Sequence, residues 1–138
     1  MTKKGGQYID ERLLFHGTSS SNVEAICNDN FDWRICGANG IVFGRGSYFA
    51  RDARYSHSYC QRDTKTKVMF VAQVLVGDFI VGCASYSRPP AKSTNKLHYY
   101  DSCVDNMTDP SIFVIFEKHQ IYPAYTIDYS EEDKCLLS

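Results

Sequence analysis

The chain divides into short segments whose hydrophobic residues recur at the period of a strand or of a helix. Apolar runs bounded by glycine, proline or charged residues predict strands at residues 12–16, 47–49, 68–76, 79–81 and 112–116. The run at 68–76 is rich in β-branched residues and nearly free of charge, which is typical of a central strand covered on both faces. A last strand alternates from Ile121 to Tyr129, and Pro123 within it indicates an edge strand or a bulge.

Helical spacing occurs in two short segments. Ser21 and Glu24 form a capping-box pattern ahead of apolar residues at helical spacing, and Asp52 can cap a second helix that runs to Tyr59. The stretch from 82 to 110 is longer than an ordinary connection, which indicates a functional or mobile segment. Strands outnumber helices and we expect the closing pair of strands to be antiparallel, so the predicted fold class is α+β.

Composition limits what the chain can do. It has 138 residues, with 15 lysines and arginines against 16 aspartates and glutamates, which suits one small domain. The basic residues are scattered, which argues against direct binding of nucleic acid or anionic lipid by charge. No apolar run approaches the length of about 18 residues that spans a bilayer, and no signal-peptide core follows Met1. We therefore expect an intracellular, cytoplasmic protein.

The six cysteines are spread widely, and no two of them form a C-x-x-C pair. Neither a disulfide framework nor a zinc site is encoded by this spacing, and we expect no metal cofactor. The expected state of these residues is the reduced thiol, packed as a small hydrophobic side chain. The exception is Cys135, whose place near the C-terminus suits another chemistry.

Three local patterns can carry chemistry, and each has a structural alternative. His16-Gly17-Thr18 places an imidazole at a strand end, where a lone histidine is more often a satisfied core residue. The glycines around Arg45 lack the third glycine of a dinucleotide fingerprint, so they form either a tight turn or a thin backbone that a flat ligand can approach. Tyr48, Ser56 and Tyr59 can sandwich and hydrogen-bond an amide-bearing heterocycle, or they belong to an aromatic core cluster.

Taken together and in this order, the patterns resemble the catalytic domain of the poly(ADP-ribose) polymerase family of diphtheria-toxin-like ADP-ribosyltransferases. The resemblance runs from Arg12 to Tyr129 and rests on the motifs His16-Gly17-Thr18, Gly44-x-Gly46-x-Tyr48-Phe49, Tyr55-Ser56-x-x-Tyr59 and Tyr100-Asp101-Ser102. Residues 113–116 and 120–123 look like the closing strands of the mono-ADP-ribosylating CCCH-zinc-finger branch, which includes the zinc-finger antiviral protein. The resemblance implies split, mainly antiparallel sheets with two short helices, and a role in antiviral or stress responses.

The resemblance also implies that NAD+ is the substrate and assigns residues to its nicotinamide end. The backbone of Gly17 would pair with the nicotinamide carboxamide, and Ser56 would bond the same amide. Tyr48 and Tyr59 would stack on the two faces of the ring.

At the other end of NAD+, His16 would hydrogen-bond the adenosine ribose. Arg34, in the loop over the adenosine half, would contact the dinucleotide. Cleavage of the nicotinamide–ribose bond passes through an oxocarbenium-like state, so a protein helps most by clamping both ends while the sugar strains between them. An imidazole at one end and an aromatic clamp at the other suit this task.

Ile112 stands where polymer-forming members of the family carry a glutamate that holds the nicotinamide ribose and activates the next sugar. Glu117 is an unsuitable replacement, because side chains alternate along a strand and residue 117 would point away from the face of residue 112. The catalytic set His16, Tyr48 and Ile112 resembles the members that transfer a single ADP-ribose unit to protein side chains, with release of nicotinamide. The alternative is a catalytically silent, prenylated interaction module.

The expected organisation is a disordered leader at residues 1–10, a catalytic domain at 11–129 and a tail at 130–138. The family's catalytic domain normally begins well upstream of the His-Gly-Thr strand. We therefore expect a domain that lacks its usual N-terminal part, either as a fragment or as a reduced version whose sheet edge is open.

The tail ends in Cys135-Leu136-Leu137-Ser138, a prenylation pattern in which the terminal serine favours farnesyl. A chance match in an apolar terminus is the alternative. A single lipid chain binds membrane only marginally, and the acidic residues at 131–133 give no electrostatic support. The predicted partners are NAD+ and acceptor proteins, with weak attachment to endomembranes through the prenyl group. A nuclear pool is also compatible with the sequence.

Overall fold

The computed structural model describes residues 2–4, 7–18, 23–31, 42–57, 66–93 and 96–130. Within these ranges the strands are β1 (Thr2–Lys4), β2 (Gln7–Ile9), β3 (Glu11–Gly17), β4 (Ser47–Ala50), β5 (Thr66–Leu75), β6 (Phe79–Val81), β7 (Ser102–Val104), β8 (Ile112–Ile115) and β9 (Ile121–Ser130). The helices are α1 (Val23–Asp29), α2 (Ala53–His57) and a one-turn 3-10 helix at Lys118–Gln120. The predicted α+β class is confirmed.

Seven strands form one mixed sheet in the order β6-β7-β8-β4-β3-β5-β9. Neighbouring strands are antiparallel except β6 and β7, which are parallel. The described register joins β3 to β4 only at Phe15 and Ala50, so the sheet divides into a β6-β7-β8-β4 half and a β3-β5-β9 half. This division agrees with the split arrangement that the resemblance implies. The closing strands β8 and β9 lie in different halves and do not pair with each other, so the expected closing pair was wrong.

The core lies on one face of this sheet. Leu14 of β3, Phe49 of β4, Phe70 of β5 and Phe113 of β8 pack there with Ile26 of α1. Each large apolar side chain that leaves water in this way contributes about 1.5–3 kcal/mol. Because α1 has only seven residues and would be unstable alone, burial of Ile26 is what holds the helix on the sheet.

The strand β5 is buried on its core face, and on its other face Lys67 and Met69 are buried as well. Ala72 and Val74 are buried, whereas Gln73 between them is exposed. The expected cover on both faces therefore holds for the first half of this strand and fails at Gln73. β-branched composition is common to half-buried and fully buried strands, so it does not tell the two apart.

The strand β9 lies at the edge of the sheet and contains a bulge. Its register against β5 shifts between Val71, which lies opposite Tyr125, and Ala72, which lies opposite Pro123. Proline has no backbone N–H to donate, so an edge or a bulge is where a sheet tolerates it. Both features predicted from Pro123 are confirmed.

The long segment after β6 leads to a parallel neighbour, which explains its length. A parallel pair cannot be joined by a tight turn, so the chain crosses over before β7 lies beside β6. Gly82 N–H donates to the Val104 oxygen, and the Ser102 hydroxyl donates to the Val76 oxygen at 2.8 Å. The described part of this segment is therefore tied to the sheet, and its strand β7 is an element that the sequence pattern did not indicate.

The strands β1 and β2 lie in the segment predicted to be a disordered leader. They form an antiparallel pair in which Lys3 lies opposite Tyr8, separate from the seven-stranded sheet. The prediction of disorder is therefore wrong for these two strands. The signal in the sequence is the Gly5-Gly6 pair, which favours a hairpin turn even where no apolar pattern is present.

Candidate active site

The sheet brings together predicted site residues that are far apart in the chain. His16 and Gly17 end β3, Tyr48 lies in β4 and Ile112 begins β8, and these three strands are adjacent. Ala50 of β4 lies opposite Phe15 on one side and opposite Ile112 on the other. His16, Gly17, Tyr48 and Ile112 therefore all lie within two residues of this row.

His16 is buried, with 4% of its surface exposed. Its Nδ1 lies 2.7 Å from the backbone oxygen of Tyr48, and Nδ1–H is the donor because a carbonyl oxygen can only accept. The neutral ring therefore carries its proton on Nδ1 and a lone pair on Nε2. Within the described part of the chain, Nε2 is buried without a hydrogen-bond partner. Since buried polar atoms are nearly always paired, this nitrogen is an acceptor that a ligand can use.

The surroundings of His16 keep its ring neutral. Burial lowers the pKa of His16 from 6.5 to about 4, against the opposing effect of the hydrogen bond to Tyr48. The ring meets Phe31 edge-on at 4.8 Å between centroids and lies tilted against Phe49 at 5.4 Å. Apolar neighbours do not solvate an imidazolium, so at pH 7 this side chain is a hydrogen-bond acceptor and not an acid.

The pleat of the sheet places the site residues on two faces. Because side chains alternate along a strand, the register puts Gly17, Tyr48 and Ile112 on one face and His16 on the core face. His16 meets Tyr48 through the backbone oxygen of Tyr48 and not through its ring. A single ligand that contacts both faces of the sheet has to pass the end of β3. This end lies beyond Phe15, the last residue of β3 with a described partner in β4.

The Tyr48 ring is oriented by the loop before β4. Its hydroxyl donates to the Gly44 oxygen at 2.8 Å and accepts from the Phe43 N–H at 2.9 Å. These two bonds hold the phenol in one direction, as a stacking role requires. They also occupy the hydroxyl, so Tyr48 offers a ligand its ring face rather than its oxygen.

The two glycines before β4 are required for packing against β8. Gly44 has a φ of +133°, and a Cβ there would lie 2.8 Å from the Phe116 ring. A Cβ on Gly46 would lie 2.7 Å from the Ile115 oxygen. The tight-turn interpretation of these glycines is therefore the one that the geometry supports, because the close approach is made by protein and not by an open cleft.

The helix α2 packs against β3 and β4, the strands that carry Gly17 and Tyr48. Its Ser56 is buried at 2% exposure. The structure therefore brings Ser56 to the same two strands as the other predicted nicotinamide contacts. Arg34, Tyr59 and Cys135 lie outside the described residues, and their roles stay predictions.

Comparison with known proteins decides the family. The poly(ADP-ribose) polymerase catalytic domain matches residues 2–86 of the chain. The chain belongs to this family.

Relatives that share about half or more of their aligned residues with this chain are named as mono-ADP-ribosyltransferases. The chain is 58% identical over 132 residues to protein mono-ADP-ribosyltransferase PARP12 of Mus musculus and 59% identical over 132 residues to PARP12 of Homo sapiens. Each of these alignments covers 96% of this chain and 19% of the relative. With PARP11 of Mus musculus the identity is 49% over 147 residues, covering 92% of this chain and 44% of that protein. The chain thus spans less than half the length of these relatives.

The carboxylate of Asp105 lies close to the start of β8, where it accepts hydrogen bonds from Ser111 and Ile112. Asp105 Oδ1 accepts from the N–H groups of Ser111 at 3.0 Å and Ile112 at 3.1 Å, and its Oδ2 accepts from the Ser111 hydroxyl at 2.7 Å. Asp105 therefore closes the turn between β7 and β8. Glu117 lies beyond the end of β8 with an exposed side chain. The sequence reasoning missed Asp105, whose signal is a turn-rich stretch of Asp, Asn and Pro after β7.

Other chemistry finds little support in the described ranges. No group of three or more His, Cys, Asp or Glu side chains there is arranged to hold a metal ion, and no helix there is long and apolar enough to cross a membrane. Cys27, Cys83 and Cys103 carry free thiols. Burial raises the pKa of the Cys103 thiol to about 11, so it stays protonated and unreactive.

We expect the free energy of unfolding to fall as the pH drops from about 6.5 to about 4. The unfolded chain takes up a proton at His16 near pH 6.5 and the folded chain only near pH 4, so protons favour unfolding between these values. The expected loss from His16 is about 3 kcal/mol at pH 4, since each pH unit corresponds to about 1.4 kcal/mol. Urea unfolding at a series of pH values measures it.

The variant His16→Gln should flatten the pH dependence in this interval, because an amide does not titrate. His119→Gln is the matched control, since the His119 side chain is 81% exposed whereas His16 is buried. An unchanged slope in His16→Gln would show that His16 is not held neutral by burial.

Proposed function

We propose that this chain binds NAD+ and transfers a single ADP-ribose unit to protein side chains, with release of nicotinamide. The observation that carries the proposal is the buried, neutral ring of His16, whose Nε2 has no partner among the described residues. A ribose hydroxyl is a fitting donor for this nitrogen, because it is uncharged and can give one hydrogen bond at low desolvation cost. Family membership and the names of the relatives support the same activity.

In this proposal His16 binds substrate and does not transfer a proton. The bond from Nδ1–H to the Tyr48 oxygen selects one tautomer, so Nε2 keeps its lone pair and would accept a hydrogen bond from the adenosine ribose. No proton is needed for the bond that breaks. Nicotinamide leaves as a neutral molecule when its ring nitrogen takes the electron pair of the bond to ribose, and the positive charge passes to the sugar. A neutral imidazole is therefore compatible with the reaction.

The nicotinamide end of the proposed site lies where the two halves of the sheet part. In support, the described register does not pair β3 with β4 beyond Phe15, so the main chain of Gly17 has no described pairing with β4. The carboxamide would bond to the Gly17 backbone and the Ser56 hydroxyl while the ring lies against Tyr48. Clamping the leaving group here and the adenosine ribose at His16 strains the sugar between them. The acceptor side chain then attacks the anomeric carbon and loses its proton to solvent or to a base of its own.

The half-buried side chain of Ile112 favours transfer of one unit. An alkyl group offers no hydrogen bond to a ribose hydroxyl and does not activate a second sugar as nucleophile. The neighbouring carboxylate of Asp105 does not supply this function in the proposal, because both of its oxygens accept hydrogen bonds from Ser111 or Ile112. The reaction therefore ends after one transfer.

Incubation with labelled NAD+ is the direct test. The parent chain should label itself or added acceptor proteins, and intact-mass analysis should show single ADP-ribose increments. His16→Ala should reduce the rate about 5-fold to 150-fold, which corresponds to the loss of one buried hydrogen-bond partner at about 1–3 kcal/mol. His119→Ala, at an exposed histidine, should retain the parent rate.

If the parent incorporates no label and His16→Ala behaves in the same way, transfer is rejected. The chain is then the catalytically silent interaction module. The same preparations should be examined by calorimetry with NAD+. Binding without turnover would retain the site and reject transfer, while no binding would reject both.

The substitution Ile112→Glu tests why products stay short. We expect it to yield single units and no polymer, because elongation also requires a site for the growing chain, and a carboxylate at 112 supplies only one of the two requirements. Gel analysis of labelled products measures chain length, with Ile112→Gln as the uncharged control. A ladder of products from Ile112→Glu alone would show that residue 112 is the sole determinant of product length.

We further propose prenylation at Cys135, with weak attachment to endomembranes from the cytoplasm and a role in antiviral or stress responses. The support is the C-terminal Cys-Leu-Leu-Ser pattern. The parent chain expressed in eukaryotic cells should gain the mass of one farnesyl group, and Cys135→Ser should not. Cys103→Ser is the control, because that thiol is buried. Equal gains for the parent and Cys135→Ser would reject the anchor.

A further inference from the structure

Asn30 closes the helix α1 in a conformation that few residues adopt. Its φ of 66° is in the left-handed region, and no other non-glycine residue in the described ranges shares it. Its N–H donates to the Ile26 oxygen at 2.9 Å, which ends the helix. Glycine and asparagine are the residues that favour this position at a helix C-terminus. The bond that closes the helix uses only the backbone of Asn30, so its side chain can bond to other elements.

That side chain makes three hydrogen bonds to the backbone. Its Nδ2 donates to the Lys118 oxygen at 3.0 Å and to the Ile121 oxygen at 2.9 Å, which ties the end of α1 to the beginning of β9. Its Oδ1 accepts from the N–H of Phe31 at 2.7 Å. The amide of Asn30 therefore fixes the direction in which the chain leaves the helix, and with it the position of Phe31.

Phe31 forms one wall of the space that holds the His16 ring. It is 2% exposed, and its ring meets the rings of His16 at 4.8 Å, Phe49 at 5.0 Å and Phe70 at 5.4 Å between centroids. His16 is thus held by the Tyr48 oxygen through Nδ1 and by the edge contact with Phe31. A displacement of Phe31 would let the imidazole turn and would admit water to Nε2.

We propose that Asn30 is a positioning residue for NAD+ binding, which acts through Phe31 to hold the His16 ring with Nε2 presented to the ligand. This inference rests on the proposed function and adds a residue to it. The carbonyls of Lys118 and Ile121 hold the Asn30 amide, and this amide holds the N–H of Phe31. The Phe31 ring in turn contacts the His16 ring. Asn30 itself does not touch the substrate.

The main test is the substitution Asn30→Gly. Glycine keeps the left-handed backbone and removes all three side-chain bonds, so helix closure is preserved while the link to Phe31 is lost. Two quantities are measured: the titration of the His16 ring by NMR, and the dissociation constant for NAD+ by calorimetry. We expect the His16 pKa to rise from about 4 toward 6.5 as water reaches the ring, and the dissociation constant to increase about fivefold or more.

Gln120→Ala is the matched control. The Gln120 side chain also joins two carbonyls, since its Nε2 donates to the Leu75 oxygen at 2.9 Å and to the Asp101 oxygen at 3.0 Å. Gln120 belongs to the same 3-10 helix as Lys118, and these two bonds do not involve Phe31 or His16. Its removal should lower the denaturation midpoint about as much as Asn30→Gly while leaving the His16 titration and the affinity for NAD+ at parent values.

A second variant tests the route. Phe31→Leu keeps the Asn30 bonds and removes the aromatic edge, so it should shift the His16 titration in the same direction as Asn30→Gly. The double variant should shift it little further, because the two changes interrupt one connection. If the two single variants shift the His16 pKa additively in the double variant, Asn30 does not act through Phe31, and the proposed connection is rejected.

The positioning role is overturned if folded Asn30→Gly titrates and binds NAD+ as the parent does, or if Gln120→Ala moves both quantities equally. The titration needs no NAD+. If the parent fails to bind NAD+, the proposed function is rejected, while the His16 titration still decides whether Asn30 positions the ring.

Discussion

The hydrogen bond from His16 Nδ1–H to the Tyr48 carbonyl connects the two halves of the sheet close to the point where β3 and β4 stop pairing. A backbone bond in the same place would close the sheet, whereas a side-chain bond holds the halves together and leaves an opening. The bond also sets the tautomer, so a single nitrogen remains as acceptor. Packing against Phe31 and Phe49 excludes water from the ring and keeps it uncharged. The binding chemistry, the local stability and the pH dependence all follow from this arrangement.

An unpaired buried nitrogen has a cost. Leaving a buried polar atom without a partner destabilises a fold by about 1–3 kcal/mol, and in the described part of this chain Nε2 of His16 is the atom that bears it. The aromatic contacts among Phe31, Phe49 and Phe70 offset part of this cost by fixing the ring in place. A ligand hydroxyl would recover the missing hydrogen bond on binding. A buried polar atom without a hydrogen-bond partner is an exception in proteins, and such exceptions are expected at ligand-binding sites.

The site combines a family motif with a local departure from it. The His-Gly-Thr strand, the Tyr48 strand and α2 lie together at the split of the sheet. At β8, Ile112 stands where the resemblance implies a glutamate in polymer-forming members, and the carboxylate of Asp105 closes a turn. The second face of the sheet is partly open at β9, where Tyr122 and Tyr125 are each 66% exposed.

Local patterns in the sequence determined most elements of this fold. Pro123 indicated an edge strand or a bulge, the apolar runs located β3 to β6 and β8, and the His-Gly-Thr and Tyr-Ser motifs indicated the family. Only the tertiary structure placed β8 and β9 in different halves, left Gln73 exposed and joined Asn30 to Lys118 and Ile121. It also left Nε2 of His16 without a partner among the described residues. The reason is physical: periodicity records which residues prefer water, whereas strand pairing, desolvation and side-chain partners depend on segments that meet only after the chain has folded.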